Sequence, residues 1–535
     1  MAIVNFAKLF TSGEDEDILT TDAPGEHILN FGSLTTTGDL ANGVYAGAGD
    51  VSIKNFGGIE TSGHGAAGIF VQGENAHIEN YGSIVTTGDY FGDFDFFSEG
   101  IFALGDQYYI ANYGSVHVEG ESSSCLVGDG AGGVIINYGR LDSLAFNSSV
   151  VAAVGDGSQA INHGVVTTRG DATASLFVLG EDAAAFNFGR ILVTGDGSNG
   201  IEGVITNTHL TNRGTIVVTA DNALGMAAFG DGHQAINFGL IETHGAYDFG
   251  MVARGGGPLA LPGLDLELTN AGRIATEGDA AIGMALGVAS LGFRPAAGGR
   301  IENSGVIESE GDGAAGVFMS GDDHHLINSG RITADGGAFV SGTLGILHAA
   351  GVAVSGDEAL VENTRTGVIK SEDAASAAVE LNVVEHDGPA SSTSSTLENF
   401  GLIKGAAVAV LGGAGQETVI NHGRIVGDVD LGDGADTFVF GQGGTVSGDL
   451  FLGGGNDVVR VENGSGTSHI ADFVAGALSG DVIDVSAFSF SDIDDLKAHS
   501  KQQGGDVIIA LDHNDKLVLE NVQLTALNAG DFLFV

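Results

Sequence analysis

The sequence predicts an all-β chain wound into a parallel β-solenoid (β-helix) of about 16 rungs, each of roughly 25 residues. Three observations lead there. A unit aliphatic-x-Asn-x-Gly-x-aliphatic recurs, with asparagines at 5, 30, 55, 80, 112, 137, 162, 187, 212, 237, 270, 303, 328, 363, 399 and 421. From Asn5 to Asn80, from Asn112 to Asn237 and from Asn303 to Asn328, every step is 25 residues. Gly-rich turns divide each unit into three apolar segments of strand length, with β-branched residues and period-two alternation.

In the unit after Asn55 the segments are "GIETS", "GIFVQ" and "AHIEN". The aliphatic residue two before each Asn and the one four after it should point inward and stack as ladders. The Asn itself suits a tight corner and can join its amide to that of the next rung. The Gly two residues on is expected to take positive φ at that corner. These are scaffold roles, and they outweigh a reading of the Asn column as a ligand platform. Surplus residues fall only in turns. "DYFGDFDFFSE" and the insertion after Asn328 lie in the first turn, those after Asn237, Asn270 and Asn363 in the second. Pro258, Pro262, Pro295 and Pro389 sit in these loops, where no ladder hydrogen bond is needed.

Composition bounds the function. Against 69 Asp+Glu stand 19 Lys+Arg, a formal charge of −50. Nucleic acid is therefore a poor partner and anionic membrane surfaces are disfavoured, and divalent cations are the natural counter-charge. With 43% hydrophobic residues the chain can bury a core despite its 90 glycines. Cys125 is the sole cysteine and reads as a small buried side chain. "MAIVNFAKLFTSGEDED" shows no Sec-type signal, and no run of apolar residues is long enough for a membrane span.

Two carboxylate columns follow the repeat. After the first strand come Asp39, Asp89, Glu121, Asp171, Asp196, Asp221, Asp279 and Asp312; six residues before the Asn come Glu74, Asp106, Asp156, Glu181, Asp231, Asp322 and Asp357. Turn chemistry accounts for such columns. Stacked like charges also invite weak calcium binding along the solenoid.

Past residue 426 the rhythm changes. "GDVDLGDGADTFVF" (427–440) returns 21 residues later as "GDLFLGGGNDVVRV" (448–461). Here the chain resembles the repeats-in-toxin calcium nonapeptide G-G-x-G-x-D-x-U-x. Gly432, Gly434 and Asp436 match in the first copy and Gly453, Gly455 and Asp457 in the second, with Asp433 and Asn456 beside them. Leu431 and Leu452 replace the motif's first glycine. "HIADFVAGALSGDVIDVSAFSF" (469–490) and the final "DFLFV" look like the C-terminal region of serralysin-type secreted proteins. The resemblance implies bound calcium, with Asp472, Asp481 and Asp484 as further ligands, and export to the cell exterior by type I secretion machinery that reads an uncleaved C-terminal signal. It divides the chain into a solenoid (1–426), degenerate calcium-type rungs (427–467) and a cap with the secretion signal (468–535). It implies nothing about protease activity, and H-E-x-x-H appears nowhere in the sequence.

Three function classes stay open. The leading one is a secreted, non-catalytic, calcium-stabilised solenoid: an adhesin, biofilm-matrix, surface-layer or filament-forming protein. Its partners would be an extracellular polysaccharide or cell surface, or further copies stacked end to end. Tyr90, Phe91, Phe94, Phe96 and Phe97 in the first insertion are its candidate contact loop. The alternative is a polysaccharide lyase, epimerase or hydrolase, for which no grouped catalytic set is visible: Arg190, Arg213, Arg273 and Arg331 are scattered, and His324, His325 and His386 lack metal-ligand spacing. An ice-binding surface ranks below both, because Thr36, Thr61, Thr86, Thr168, Thr243 and Thr276 occupy an inward position.

Overall fold

Each repeat folds into three short strands, as its alternation dictates. In the third repeat these are Ser52–Asn55, Gly58–Thr61 and Ile69–Gln72. In these repeats each strand pairs in parallel and in register with its equivalent one repeat away, so Ile53 lies between Ile28 and Ile78 and Asn55 between Asn30 and Asn80. The chain is described here from a computed structural model, which covers residues 2–90, 97–256, 261–287, 296–341, 345–382, 393–476 and 480–534. It divides into two units: residues 1–263 with 272–275, and residues 264–271 with 276–535. Both are parallel β-solenoid.

In the first unit Ile28, Ile53, Ile78 and Ile110 stack in one inward ladder, and Leu34, Ile59, Ile84 and Val116 in another, all essentially without solvent contact. Burial of each is worth about 2 kcal/mol, repeated rung after rung. The asparagines form a second spine. Nδ2 of each donates to Oδ1 of the next at 2.8 to 2.9 Å, from Asn5 through Asn162 to Asn237. The second unit repeats this from Asn270 to Asn421. The threonine column faces inward as the pattern requires: Thr36, Thr61, Thr86, Thr168, Thr243 and Thr276 are buried.

One expectation is corrected. The glycine of Asn-x-Gly does not take positive φ; Gly32, Gly57 and Gly82 lie outside that region. It is required because consecutive rungs nearly touch there. A Cβ on Gly57 would stand 1.8 Å from the Gly32 carbonyl oxygen, and one on Gly82 1.9 Å from that of Gly57. Positive φ falls instead after the third strand, at Gly73, Gly105, Gly130 and Gly155.

The Asn ladder continues across the insertions after Asn80, Asn270, Asn328 and Asn363. The one after Asn328 forms an antiparallel hairpin, Ala338–Ser341 with Gly345–His348, before the third strand resumes at Ala350. The second unit ends differently. The helix Ile493–Ala498 starts at Asp492, whose side chain accepts from the Asp495 N–H. Ser500–Gln503, Asp506–Ala510 and Lys516–Leu519 then run antiparallel to one another. Lys516–Leu519 also adds in parallel to Thr467–Ile470, so an antiparallel meander closes the last rungs. Among the described residues no helix is long and apolar enough to cross a membrane.

Candidate metal centre

The two regular carboxylate columns turn out to be staples between rungs. Asp171 Oδ1 accepts the backbone N–H of Asp196 at 2.9 Å, Asp39 that of His64 at 2.9 Å and Asp312 that of Gly337 at 2.9 Å. In the other column Asp106 accepts from Ala131 at 2.8 Å and Asp156 from Glu181 at 2.9 Å. Each therefore satisfies a turn donor of the following rung. Asp171→Asn, which keeps the acceptor, should leave the thermal midpoint in place, while Asp171→Ala lowers it by about 1 to 2 °C. Paired melts with and without chelator check this; equal losses for Asn and Ala would transfer the role from hydrogen bond to charge.

A different column lies inside the second unit. The Asn ladder stops at Asn421, whose register position passes to Phe440 and then Val461. Four residues upstream an acidic ladder begins at the same point. Glu417, Asp436 and Asp457 are buried, and Asp481 nearly so. They are joined through the backbone: Glu417 N–H donates to Asp436 Oδ1 (2.8 Å), Asp436 N–H to Asp457 Oδ1 (2.9 Å), and Asp457 N–H to Asp481 Oδ1 (3.2 Å). These side chains stand two residues before the inward Val419, Phe438 and Val459, so the period-two alternation turns them into the interior.

Such a stack cannot stay fully ionised on its own. Carboxylates one rung apart, about 4.8 Å, repel by roughly 3 kcal/mol per neighbouring pair at an effective dielectric of 20. The single charge-assisted N–H bond to Asp436, and that to Asp457, each return about 1.5 to 3 kcal/mol. The second oxygens, Glu417 Oε2, Asp436 Oδ2 and Asp457 Oδ2, are buried with no hydrogen-bond partner. Burial, reinforced by the adjoining Glu417 carboxyl, pushes Asp436 up to about 8. Burial likewise raises Asp457 to about 6 and Asp481 above the usual carboxylate range. Protons or a cation must neutralise the ladder. Orphaned carboxylate oxygens, stacked one to a rung, are hard donors of the kind that calcium takes.

The other residues singled out in the sequence divide. Asp433–Gly434 pairs in parallel with Gly454–Gly455, and Gly432 and Gly453 take φ of 85° and 80°. Asp433 and Asn456 are exposed, away from the buried oxygens. Leu431 and Leu452, where the motif has glycine, are core residues. Asp472 accepts from Leu452 N–H at 2.8 Å and Gly453 N–H at 3.0 Å, bracing the second turn. Asp484 is tied to Arg460 Nε at 3.0 Å and to Ser486 N–H at 2.9 Å. Burial alone would raise its pKa, but these bonds prevail and hold it below the ordinary carboxylate range. Glu417 is the ladder member that the calcium motif does not contain; its signal is an acid four residues before the last ladder Asn, where earlier units have Ala359 and Ser395. A surface trio, Asp449, His469 and Glu520, brings ligand atoms within 4.8 Å of one another from three separate strand ends.

Of the contact-loop candidates, Phe91, Phe94 and Phe96 lie outside the described residues, and Tyr90 and Phe97 bring their rings to 5.1 Å. His386 also lies outside them. His324 is buried, with Nδ1 accepting from Gly299 N–H at 3.0 Å. Cys125 is buried, which drives its thiol well above the usual range. No family model matches the chain, and no curated protein is similar to it in sequence.

Proposed function

We propose that the chain is a secreted, non-catalytic extracellular solenoid whose last rungs are stabilised by calcium, serving as an adhesin, matrix, surface-layer or filament-forming component. Export would use type I secretion machinery acting on 468–535. The observation that carries this reading is the interior ladder Glu417–Asp436–Asp457, with three buried carboxylate oxygens lacking partners. A chain whose final rungs an external cation can neutralise in place of protons has a reason to complete folding where calcium is plentiful. Glu417, Asp436, Asp457 and Asp481 would hold the ion, which supplies charge neutralisation and cross-links successive rungs. The regular repeats support a structural role, since their polar columns are consumed by rung-to-rung hydrogen bonds.

Calcium titrated calorimetrically into chelator-treated protein at neutral pH should bind saturably. Asp436→Asn with Asp457→Asn should weaken that binding at least tenfold. No binding heat, together with unchanged hydrogen exchange across 417–461, would overturn the reading. Negative-stain microscopy with and without calcium tests the filament member, which isolated particles in both conditions would remove.

A further inference from the structure

The third strands of the first unit carry an outward column that departs from the repeat. In strict register it runs from Tyr45 through Phe70, Phe102, Val127, Ala152 and Phe177 to Glu202. Along the turn beside it lie Asn42, Glu99, Ser124 and Asn199. Two hollows open between these walls, of about 400 and 530 Å³, and Phe97 lines both.

The chemistry of the walls restricts the occupant. The rung backbones already spend their N–H and C=O groups on each other, so an entering peptide would find no ladder to join. Recognition must come from side chains, and these offer hydroxyls, amides, carboxyls and aromatic rings. Ser148 lines the larger hollow, and its Oγ is buried without a hydrogen-bond partner. Asn199 Nδ2 donates to Glu202 Oε2 at 2.7 Å, and the Ser124 N–H donates to Glu99 Oε2. Phe177 is flanked in its column by Ala152 and Glu202, so no neighbouring ring covers its face.

The other aromatic column of this unit lacks that property. Phe6, Phe31, Phe56, Tyr81, Tyr113 and Tyr138 stack directly on one another at 4.7 to 5.1 Å with nearly parallel planes, so that each ring from Phe31 to Tyr113 is covered on both faces. A ring face free beside hydroxyl and amide groups is what a sugar ring needs: its C–H face packs on the aromatic and its hydroxyls take the polar partners. Burial pushes Glu99 up to about 8 and raises Glu202 as well. At neutral pH Glu99 is therefore held largely protonated and can donate to a hydroxyl without adding charge. An anionic glycan would meet a chain of net charge −50, so a neutral one is selected.

We propose that this groove binds an extended neutral polysaccharide, with Phe97 and Phe177 packing on sugar rings and Glu99, Ser148, Asn199 and Glu202 bonding their hydroxyls. It runs across successive rungs, so several sugar units engage at once. This gives the proposed extracellular solenoid a ligand class and rests on that reading only for its setting. The calcium titration reports on the second unit and the sugar titration on the first, so each can fail alone.

The test is calorimetric titration of the full chain with cellohexaose, mannohexaose and xylohexaose, and with hexagalacturonate as the acidic comparison. At least one neutral hexamer should bind saturably, more tightly than hexagalacturonate in the absence of calcium. Phe177→Ala should weaken it at least tenfold, Phe177→Tyr should retain it, and Phe188→Ala, outside the groove, should leave it unchanged. Circular dichroism establishes that each variant is folded. No saturable binding of any neutral hexamer into the millimolar range would overturn the proposal. So would binding indifferent to Phe177→Ala, or a preference for hexagalacturonate.

Discussion

Gly164→Ala is expected to destabilise the first unit by more than about 4 kcal/mol, among the largest effects of any single methyl group in the chain. Its Cβ would sit 2.1 Å from the Gly139 carbonyl oxygen, 2.8 Å from the Tyr138 carbonyl carbon and 2.9 Å from Asn137 Nδ2. Two of these are backbone atoms, which cannot rotate away as a side chain would. Relief requires parting two rungs by roughly an ångström, and that stretches the ladder hydrogen bonds around the corner together with the Asn137–Asn162 link at 2.9 Å. Gly157→Ala is the matched control. Gly157 has φ of 67° with open space where its Cβ would go, so only the left-handed conformation is penalised, at about 1 to 2 kcal/mol. Denaturant unfolding of both variants, followed by far-ultraviolet dichroism, compares them. Equal losses would mean that rung stacking is not what excludes a side chain at position 164.

The same glycines show where sequence reading succeeds and where it stops. Periodicity exposed the scaffold because every rung solves the same problem: Ile53, Ile59 and Asn55 recur at fixed spacing since each contacts its own copy above and below. The need for glycine after each Asn was visible too, but a conformational demand and a steric one leave the same letter in the sequence. The acidic ladder was half legible. Asp436 and Asp457 stand in a motif, whereas Glu417 belongs to the preceding kind of rung and joins them only through register. Of the groove, only Phe97 was legible, as one aromatic residue of an insertion. Glu99 stands where neighbouring rungs carry Ala67 and Ser124, Phe177 and Glu202 follow Val127 and Ala152 in their column, and no local pattern announces that they line one hollow. The stack from Phe6 to Tyr138 was present in plain view, one residue after each ladder Asn, but its geometry emerges only once the rungs are placed.

In chelator, the stability of the second unit is expected to fall as pH rises from about 6.5 to 8.5. The sign follows from the direction of the shifts. Asp436 rises from an ordinary 3.8 to about 8 on folding, and Asp457 to about 6, because burial penalises their charged forms. Between those values the folded chain holds protons that the unfolded chain has released, so raising the pH favours unfolding. Glu380, raised to about 7 by burial, acts in the same direction. His324 and His325 act oppositely: burial lowers both, so they favour folding as pH rises, but that contribution is complete by about pH 7. Above neutrality the acids prevail. A tenfold change in an acid constant is worth about 1.4 kcal/mol, and a loss of about 2 to 3 kcal/mol, or several degrees in midpoint, is expected across the window after allowing for coupling within the ladder. Asp436→Asn should flatten the profile, since the amide never ionises. Millimolar calcium should flatten it in the unsubstituted protein by neutralising the same carboxylates in place of protons. Hydrogen exchange at the amides of Glu417, Asp436 and Asp457, which donate along the ladder, localises the effect. A profile that stays level in chelator, or one that calcium leaves sloping while Asp436→Asn removes the slope, would separate the ladder's protons from any ion.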